Sequence, residues 1–464
     1  MKRVGMQHRI WNVSATTLRS VFAGFAASAA IVAGPGEVQA SAASPVSITA
    51  ELDRSVLTTG KQHRAYLRVS VTPARRTDAK RAAMNVALVI DRSGSMGSQG
   101  RMANARRAAT MAVDRLGADD ILSVVSYDDR VEVDVPATKV LERADVKARI
   151  ERLSPRGSTA IHAALLKAAD EVRKFKSKDR VNRIVLISDG LANVGPSNPR
   201  DFESLGRELA SEGITVSTIG LGNGYNEDLM AGLARNADGG HVFVQESADL
   251  SAFLAREFDD VAGTVGQEAE IIIKVKSGVR PIRSLGREAR VESDRIVYRV
   301  GALYGGVEQV LLAELEIDPA TTPGEATVAD IDVAFTSAQT GERATAKGST
   351  LVRFDADEDA SAKSTNSLVM RDVATLLSRA ARDEAVKLRD AGRLEEARAK
   401  FDANAAYLRK QQSAFDKSGS YAPLANELKA SEAAAAASSP EQWTKARKVQ
   451  RATDSNSFGA SQKY

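Results

Sequence analysis

Between residues 84 and 264, apolar runs of strand length alternate with longer stretches in which apolar residues recur every three or four positions. NVALVI precedes RMANARRAATMAVDRL, RIVLIS precedes FESLGRELASEG, and ITVSTIGLG precedes EDLMAGLARNA. Strands that are apolar throughout and alternate with helices are typical of a mostly parallel sheet with helices on both faces. We therefore predict a doubly wound α/β domain over residues 84–264.

Strand patterning without helices lies on both sides of this domain. Residues 46–80 contain VSITAEL and AYLRVSV, and residues 265–355 contain EIIIKVKSG, RIVYRVG, QVLLAELEID, TVADIDVAFTS and STLVRF. Alternating apolar and polar positions indicate strands with one solvated face. We predict that the two sets form one antiparallel β-sandwich and that the α/β domain is inserted in it, with its two ends close together. Two separate small β domains that flank the α/β domain are the alternative.

The C-terminal region, residues 360–450, is predicted to be α-helical, because residues 365–430 have an apolar period near 3.6 residues. Ala391-Gly392 interrupts the period, which indicates a helical hairpin. The stretch resembles half of a tetratricopeptide-type helix pair, and only one copy is visible, whereas such arrays need about three repeats. We expect the hairpin to pack on the rest of the chain or to bind a partner, and we expect residues 451–464 to be disordered.

The N-terminal segment, residues 1–40, has the composition of a secretory signal peptide. A basic stretch precedes the apolar run from Val21 to Gly34, and Val38-Gln39-Ala40 is a plausible cleavage site. The apolar run is shorter than the roughly 20 residues that a membrane-spanning helix needs. We predict cleavage, no transmembrane segment in the mature chain, and an extracytoplasmic location in the periplasm, on the cell surface or in the medium. An uncleaved N-terminal anchor is the alternative.

The net charge and the absence of cysteine exclude several classes of function. The formal charge is +4, but without the signal segment 60 basic and 59 acidic residues remain. A nearly neutral chain has no general attraction for phosphate, so nucleic acid is not an expected partner. Because no cysteine is present, disulfides, thiolate metal sites and thiol catalysis are excluded.

Oxygen-bearing side chains follow the strands of the predicted parallel sheet. Asp91, Ser93 and Ser95 come directly after the run NVALVI, and Asp189 follows RIVLIS. Thr159 lies in a loop before a further predicted helix. Because ligands of such sheets bind at the carboxyl ends of the strands, we expect these five side chains to converge there. Taken singly, Asp and Ser at these positions are also common in turns and helix caps.

Two carboxylates and three hydroxyls form a set of hard oxygen ligands. Such a set suits Mg²⁺, with Mn²⁺ or Ca²⁺ as alternatives, rather than zinc or copper. Hydroxyls are weak ligands, so the cation would remain electrophilic and would accept a carboxylate from another molecule.

The three pieces DRSGS, GST and SDG, in this order on an alternating α/β frame, resemble the DxSxS…T…D metal-ion-dependent adhesion site (MIDAS) of the von Willebrand factor A (VWA) family. The resemblance covers residues 84–264 and implies a Rossmann-like VWA domain. It also implies that Ser93, Ser95 and Thr159 ligate the metal directly, whereas Asp91 and Asp189 act mainly through water or hydrogen bonds. The flanking strands are similar to those of bacterial secreted VWA proteins.

The leading hypothesis is therefore an exported protein-binding module, for adhesion or as a scaffold, whose metal captures an Asp or Glu of a partner protein. No catalytic residues and no organic cofactor are expected. The alternatives are a metal-independent scaffold that acts through its β and helical regions, and a metal-dependent hydrolase.

Two other signals are set aside. The four histidines have no metal-ligand spacing, and His162 is interpreted as a helix-surface residue rather than part of the site rim. Gly220-Leu-Gly222-Asn-Gly224 is interpreted as a turn between a strand and a helix, because it lacks the residues of a nucleotide-binding loop.

Overall fold

The computed structural model describes residues 46–75, 81–246, 249–415, 422–437, 439 and 441–448. The predicted signal peptide (1–40) and the predicted disordered tail (451–464) lie outside the described residues, and both remain predictions. The first three strands are β1 (Val46–Leu52), β2 (Val56–Thr58) and β3 (His63–Pro73).

The α/β domain follows these strands. Its strands are β4 (Ala83–Asp91), β5 (Ile121–Tyr127), β6 (Val131–Lys139), β7 (Arg180–Ser188), β8 (Ile214–Leu221) and β9 (His241–Val244). Its helices are α1 (Arg101–Arg115), α2 (Arg143–Glu151), α3 (Ile161–Arg173), α4 (Pro199–Ser211), α5 (Glu227–Asn236) and α6 (Leu250–Ala262). The strands form one sheet in the order β6-β5-β4-β7-β8-β9, in which only the pair β5–β6 is antiparallel.

Alternate residues of the central strands bury their side chains on opposite faces of this sheet. On β4, Leu88 and Ile90 pack with residues of α1, α2 and α6, whereas Ala87 and Val89 pack with residues of α3, α4 and α5. Because side chains alternate along a strand, a strand covered by helices on both faces is apolar along most of its length. This confirms the predicted fold class, a doubly wound and mostly parallel α/β sheet.

The remaining strands are β10 (Thr264–Val275), β11 (Val279–Leu285), β12 (Arg290–Val291), β13 (Arg295–Tyr304), β14 (Gln309–Ile317), β15 (Gly324–Ser337) and β16 (Arg343–Asp355). They form two sheets with the first three strands, in the orders β1-β3-β14-β11 and β12-β13-β10-β15-β16-β2. One hydrophobic core lies between the two sheets. Strands from both sides of the α/β domain therefore share each sheet of the β-sandwich.

One pairing departs from the predicted antiparallel sandwich. The short strand β2 runs parallel to β16, with Val56 opposite Arg353. The chain bends at residues 53–55 and crosses from the first sheet to the edge of the second, where it runs in the same direction as β16.

The chain enters and leaves the α/β domain side by side. The backbone N–H of Gly305 donates to the carbonyl of Gly263 at 2.9 Å, and the N–H of Gly306 donates to the carbonyl of Pro73 at 2.7 Å. Arg183 on β7 adds a buried side-chain contact, because it donates to the hydroxyl of Tyr304 at 2.6 Å. The loop at 305–306 therefore holds the two connections of the inserted domain together.

The C-terminal region contains the helices α7 (Glu358–Lys363), α8 (Ser367–Asp390), α9 (Leu394–Phe415) and α10 (Ala422–Ala436), and residues 441–448 are also helical. The predicted break is present, since Gly392 has a φ of 77° between α8 and α9. A hairpin alone is an incomplete description, because α10 packs on both helices through Leu424 and Ala434. The Ala-rich sequence of α10 gives it a weak apolar period, so the sequence did not distinguish it as a third helix beside the hairpin. No helix within the described residues is long and apolar enough to cross a membrane.

The helical region contacts both other parts of the molecule. Val369 and Val373 near the start of α8 pack on Leu285 and Leu312 of the sandwich. At the other end, Arg447 and Lys448 contact the start of α5, and we refer to these two residues as the C-terminal clamp. The following contacts belong to it: Lys448 Nζ to the carbonyl of Tyr225 at 2.6 Å and to Glu227 at 2.5 Å, and Arg447 to Glu227, to Asp228 at 2.5 Å and to Asp390 at 2.8 Å.

A buried histidine in the α/β domain should make the stability of the folded protein depend on pH. His241 is fully buried, with its ring nitrogens 2.9 Å from Thr218 Oγ1 and 3.1 Å from the Tyr225 hydroxyl. Burial lowers the pKa of His241 to about 3, with a smaller contribution from the charge of Lys448. Because the pKa is lower in the folded than in the unfolded chain, the stabilisation is complete above about pH 6.5 and decreases as the pH falls towards 3.

Because of this residue alone, we expect the free energy of unfolding, measured in urea, to be about 2 kcal/mol lower at pH 5 than at pH 7.5. The variant His241→Gln should show a flatter pH dependence, whereas the control His162→Gln should keep the slope of the unmodified chain. An unchanged slope in His241→Gln would contradict the assignment.

Candidate metal centre

The five side chains singled out in the sequence lie together at the carboxyl edge of the parallel sheet. Asp91 is the last residue of β4, Asp189 directly follows β7, and Thr159 ends the loop that leads to α3. Because β4 and β7 are neighbours, the two carboxylates come from adjacent strand ends. Asp91, Asp189, Ser93 and Thr159 are buried, whereas Ser95 is exposed and marks the solvent side of the cluster.

Asp91 is oriented by two donors. Its Oδ1 accepts the backbone N–H of Ser93 at 2.8 Å, and its Oδ2 accepts the hydroxyl of Ser188 at 2.6 Å. Ser188 is the last residue of β7, so this hydrogen bond connects the two central strand ends. Sequence reasoning missed Ser188, although its position directly before Asp189 was a usable signal.

The two serines connect Asp91 to the second carboxylate. Ser93 Oγ lies 3.0 Å from Ser95 Oγ, and Ser95 Oγ donates to Asp189 Oδ1 at 2.7 Å. Thr159 is the fifth residue of the cluster, and its hydroxyl lies close to Gly190, as does the carboxylate of Asp91. An ideal Cβ at Gly190 would lie 3.2 Å from Thr159 Oγ1 and 3.6 Å from Asp91 Oδ2, so a side chain there would crowd the threonine oxygen and contact the carboxylate.

Backbone hydrogen bonds hold the three loops of the centre to one another. The N–H of Gly94 donates to the carbonyl of Gly157 at 3.1 Å, and the N–H of Arg156 donates to the carbonyl of Arg92 at 2.7 Å. Asn193 accepts the backbone N–H of Thr159 through its side-chain oxygen at 2.7 Å. The oxygen atoms are therefore placed by a fixed backbone rather than by free loops.

Burial and like charge disfavour ionisation in the centre. Burial raises the pKa of Asp91 to about 6, and the nearby charge of Asp189 raises it as well, against the hydrogen bonds from Ser188 and Ser93. Burial also raises the pKa of the Tyr127 hydroxyl well above its usual value. Two buried carboxylates at adjacent strand ends form a site in which a positive charge is favoured.

Arg101, the first residue of α1, is the cation that sequence reasoning missed. Its Nη1 lies 2.5 Å from Asp189 Oδ2, and both side chains are largely buried. It stands six residues after Ser95, outside the motif, and nothing in the local sequence distinguishes it from the neighbouring arginines.

The glycine-rich turn set aside in the sequence has a role beside the centre. An ideal Cβ at Gly224 would lie 2.8 Å from the carbonyl oxygen of Asp189, and one at Gly222 would lie 2.8 Å from Arg101 Nη2. The turn connects β8 to α5, as expected. Its glycines allow the backbone to approach the metal-centre loops closely.

The residues present fit a small, hard cation. They supply two carboxylates and three hydroxyls, and all of these are oxygen ligands of the kind that Mg²⁺ prefers. Across the described parts of the chain, no three His, Cys, Asp or Glu side chains converge as a metal cluster. A cation at this centre would therefore depend strongly on hydroxyl and water oxygens, which favours weak binding.

The comparisons with known proteins concern the family of the α/β domain and the fold of the chain. Residues 85–256 match the family model of the von Willebrand factor type A domain, so this segment is a VWA domain. The chain is 29% identical over 265 residues to the uncharacterized protein YfbK of Escherichia coli, which covers 55% of this chain and 46% of that protein. It is 27% identical over 186 residues to the mouse inter-alpha-trypsin inhibitor heavy chain H2, which covers 38% of this chain and 20% of that protein. The chain thus spans about half of the first relative and a fifth of the second.

Two solved structures share the fold over most of the chain. A von Willebrand factor type A protein from Catenulispora acidiphila superposes with a TM-score of 0.69 at 16% identity, covering 90% of this chain and 97% of that one. The ArnB paralog VWA2 from Sulfolobus acidocaldarius superposes with a TM-score of 0.57 at 17% identity, covering 89% and 98%. The similarity extends well beyond the VWA domain and concerns the fold alone.

Proposed function

We propose that this chain, in which residues 85–256 form a VWA domain, is an exported protein-binding module that captures a carboxylate of its partner through a divalent cation. The observation that carries the proposal is the convergence of Asp91, Ser93, Ser95, Thr159 and Asp189 at one strand edge, with Ser95 open to solvent. VWA domains mediate protein–protein interaction, and the proposal makes that general role specific. Mg²⁺ is the proposed cation, with Mn²⁺ and Ca²⁺ as alternatives.

The residues of the centre have different parts in this mechanism. Ser93, Ser95 and Thr159 would ligate the cation through their hydroxyl oxygens, and Asp91 and Asp189 would hold it through water or hydrogen bonds. A cation bound in this way supplies an electrophilic coordination position that an Asp or Glu side chain of a partner can fill. Ser188 and the Ser93 N–H already hold Asp91 in a fixed orientation, so Asp91 itself needs no reorientation to accept the cation.

The surface beside the centre suits a protein partner. Leu191, two residues after Asp189, is 56% exposed although it is large and apolar. Its loop is fixed to the centre through the hydrogen bonds between Asn193 and Thr159. An apolar side chain next to a carboxylate-binding position offers a partner both a polar anchor and a hydrophobic contact.

Calorimetric titration of the purified chain with MgCl₂ tests the cation, and crosslinking with mass spectrometry tests the partner. We expect Mg²⁺ to bind in the millimolar range. A partner from an extracytoplasmic extract should crosslink in Mg²⁺, disappear with EDTA and return when Mg²⁺ is restored. The crosslinks should involve the rim of the metal centre, for example the loop of Leu191.

The variant Asp91→Asn should lose both signals, and its control is Asp114→Asn, which removes one negative charge from the exposed surface of α1. Absence of cation binding at millimolar Mg²⁺, together with a crosslink pattern that EDTA does not alter, would contradict the proposal. That result would favour a metal-independent scaffold acting through the sandwich and the helices.

A further inference from the structure

Arg101 occupies a position in the metal centre that the five-residue motif does not include. Its Nη1 lies 2.5 Å from Asp189 Oδ2, and the side chain of Asp189 has no exposed surface. The other oxygen of the same carboxylate accepts the hydroxyl of Ser95. Both oxygens of Asp189 therefore already have a donor from the protein, and one of these donors carries a full positive charge.

Three neighbouring residues hold the guanidinium in this place. Gln99 Oε1 accepts a hydrogen bond from Arg101 Nη2 at 2.7 Å. Gln99 and Gly100 have φ angles of 52° and 68°, in the left-handed region, so the chain turns sharply just before α1 begins. The absent side chain of Gly222 leaves the space that Nη2 fills. The contact with Asp189 is thus built into the fold and is not that of a mobile surface arginine.

We propose that Arg101 is an internal counter-ion that competes with the divalent cation for Asp189 and keeps the affinity of the centre low. The inference rests on the proposed metal site. A guanidinium that neutralises Asp189 leaves less negative charge for an incoming dication, and it also repels that dication directly. In the absence of metal the same ion pair satisfies a buried carboxylate, so the domain keeps its fold without a cation.

The test compares Arg101→Gln with the unmodified chain. Arg107→Gln is the matched control, because Arg107 is an exposed arginine on the same helix and the charge change is identical. Arg101→Lys keeps the charge with a different geometry. Each full-length protein is titrated with MgCl₂ and with MnCl₂ by calorimetry, and each is melted in EDTA and in Mg²⁺.

We expect Arg101→Gln to bind Mg²⁺ about tenfold more tightly or better, because removal of one charge from a low-dielectric site changes binding by this order. Its melting temperature in EDTA should fall below that of the unmodified chain, and the gain on addition of Mg²⁺ should be larger. Arg107→Gln should match the unmodified chain in both measurements, and Arg101→Lys should lie closer to it than Arg101→Gln does.

Two outcomes would overturn the inference, and they are distinguishable. If Arg101→Gln binds Mg²⁺ with the affinity of the unmodified chain or more weakly, Arg101 is not a competitor, although the metal site stands. If neither cation binds to any of the proteins, the proposed metal site and the counter-ion fail together.

Discussion

Replacing Asp91 with asparagine is expected to lower the Mg²⁺ affinity of the chain on the order of 100-fold, the upper range for groups that hold a metal through other ligands. The amide keeps an oxygen to accept the Ser93 N–H, so the loop conformation should persist. In EDTA the variant should unfold at the same temperature as the unmodified chain or higher, because a charged carboxylate buried beside Asp189 is removed. With Mg²⁺ at about ten times its dissociation constant, the unmodified chain should gain roughly 1.4 kcal/mol, and the variant should gain almost nothing.

Measuring stability and partner capture in the same variant separates an effect on function from an effect on folding. Thermal melts with and without Mg²⁺ measure the stability, and capture of the crosslinked partner measures the function. The control Asp114→Asn should behave like the unmodified chain in both assays. A variant Asp91→Asn that still gains stability from Mg²⁺ and still captures the partner would show that the cation binds elsewhere or not through this residue.

Replacing Glu227 with glutamine is expected to release the C-terminal clamp from the VWA domain. Glu227 is buried and pairs with both Arg447 and Lys448, and Lys448 is itself fully buried under the ring of Tyr225. Loss of one partner leaves a buried charge without compensation, which costs about 3–5 kcal/mol. We expect residues 441–448 to lose hydrogen-exchange protection by two orders of magnitude or more, and urea to unfold the protein at lower concentrations.

The matched control is Glu432→Gln on α10. Glu432 forms an ion pair with Arg409 in which both side chains are about half exposed, and such pairs contribute about 0–1 kcal/mol. Hydrogen exchange of the control should therefore equal that of the unmodified chain. Equal protection of residues 441–448 in Glu227→Gln would mean that apolar packing, such as that of Trp443 on Phe401, holds the segment instead.

The sequence predicted those parts of the fold in which burial decides the residue type. The strand β4 is apolar from Val86 to Ile90, where helices cover both of its faces, and such a run is typical of a strand buried in a parallel sheet. The motif residues followed from the same logic, since Asp91 and Asp189 directly follow apolar runs of this kind, NVALVI and RIVLIS. Their convergence in the structure agrees with that expectation, while the metal itself stays a prediction.

The parts that the sequence did not predict lie where burial is one-sided or small. The edge strands β6 and β11 each contain a proline, Pro136 and Pro281, which interrupts their alternation of charged and apolar residues and makes them resemble loops. The helix α10 packs through alanines, which give little periodic signal. Arg101 reaches Asp189 only because the turn at Gln99 and Gly100 directs it there, and no local pattern encodes a contact between positions 88 residues apart.

The loop at Gly305 and Gly306 has a mechanical consequence for the proposed capture of a partner. A pull on a partner held at the metal centre reaches the sandwich through two chain segments, at Pro73 and at Gly263, which lie side by side. Each segment carries part of the tension. Separation of either end of the VWA domain from the sandwich should first break the hydrogen bonds to this loop. The tether is therefore double, and it should resist shear better than a single linker between domains in series.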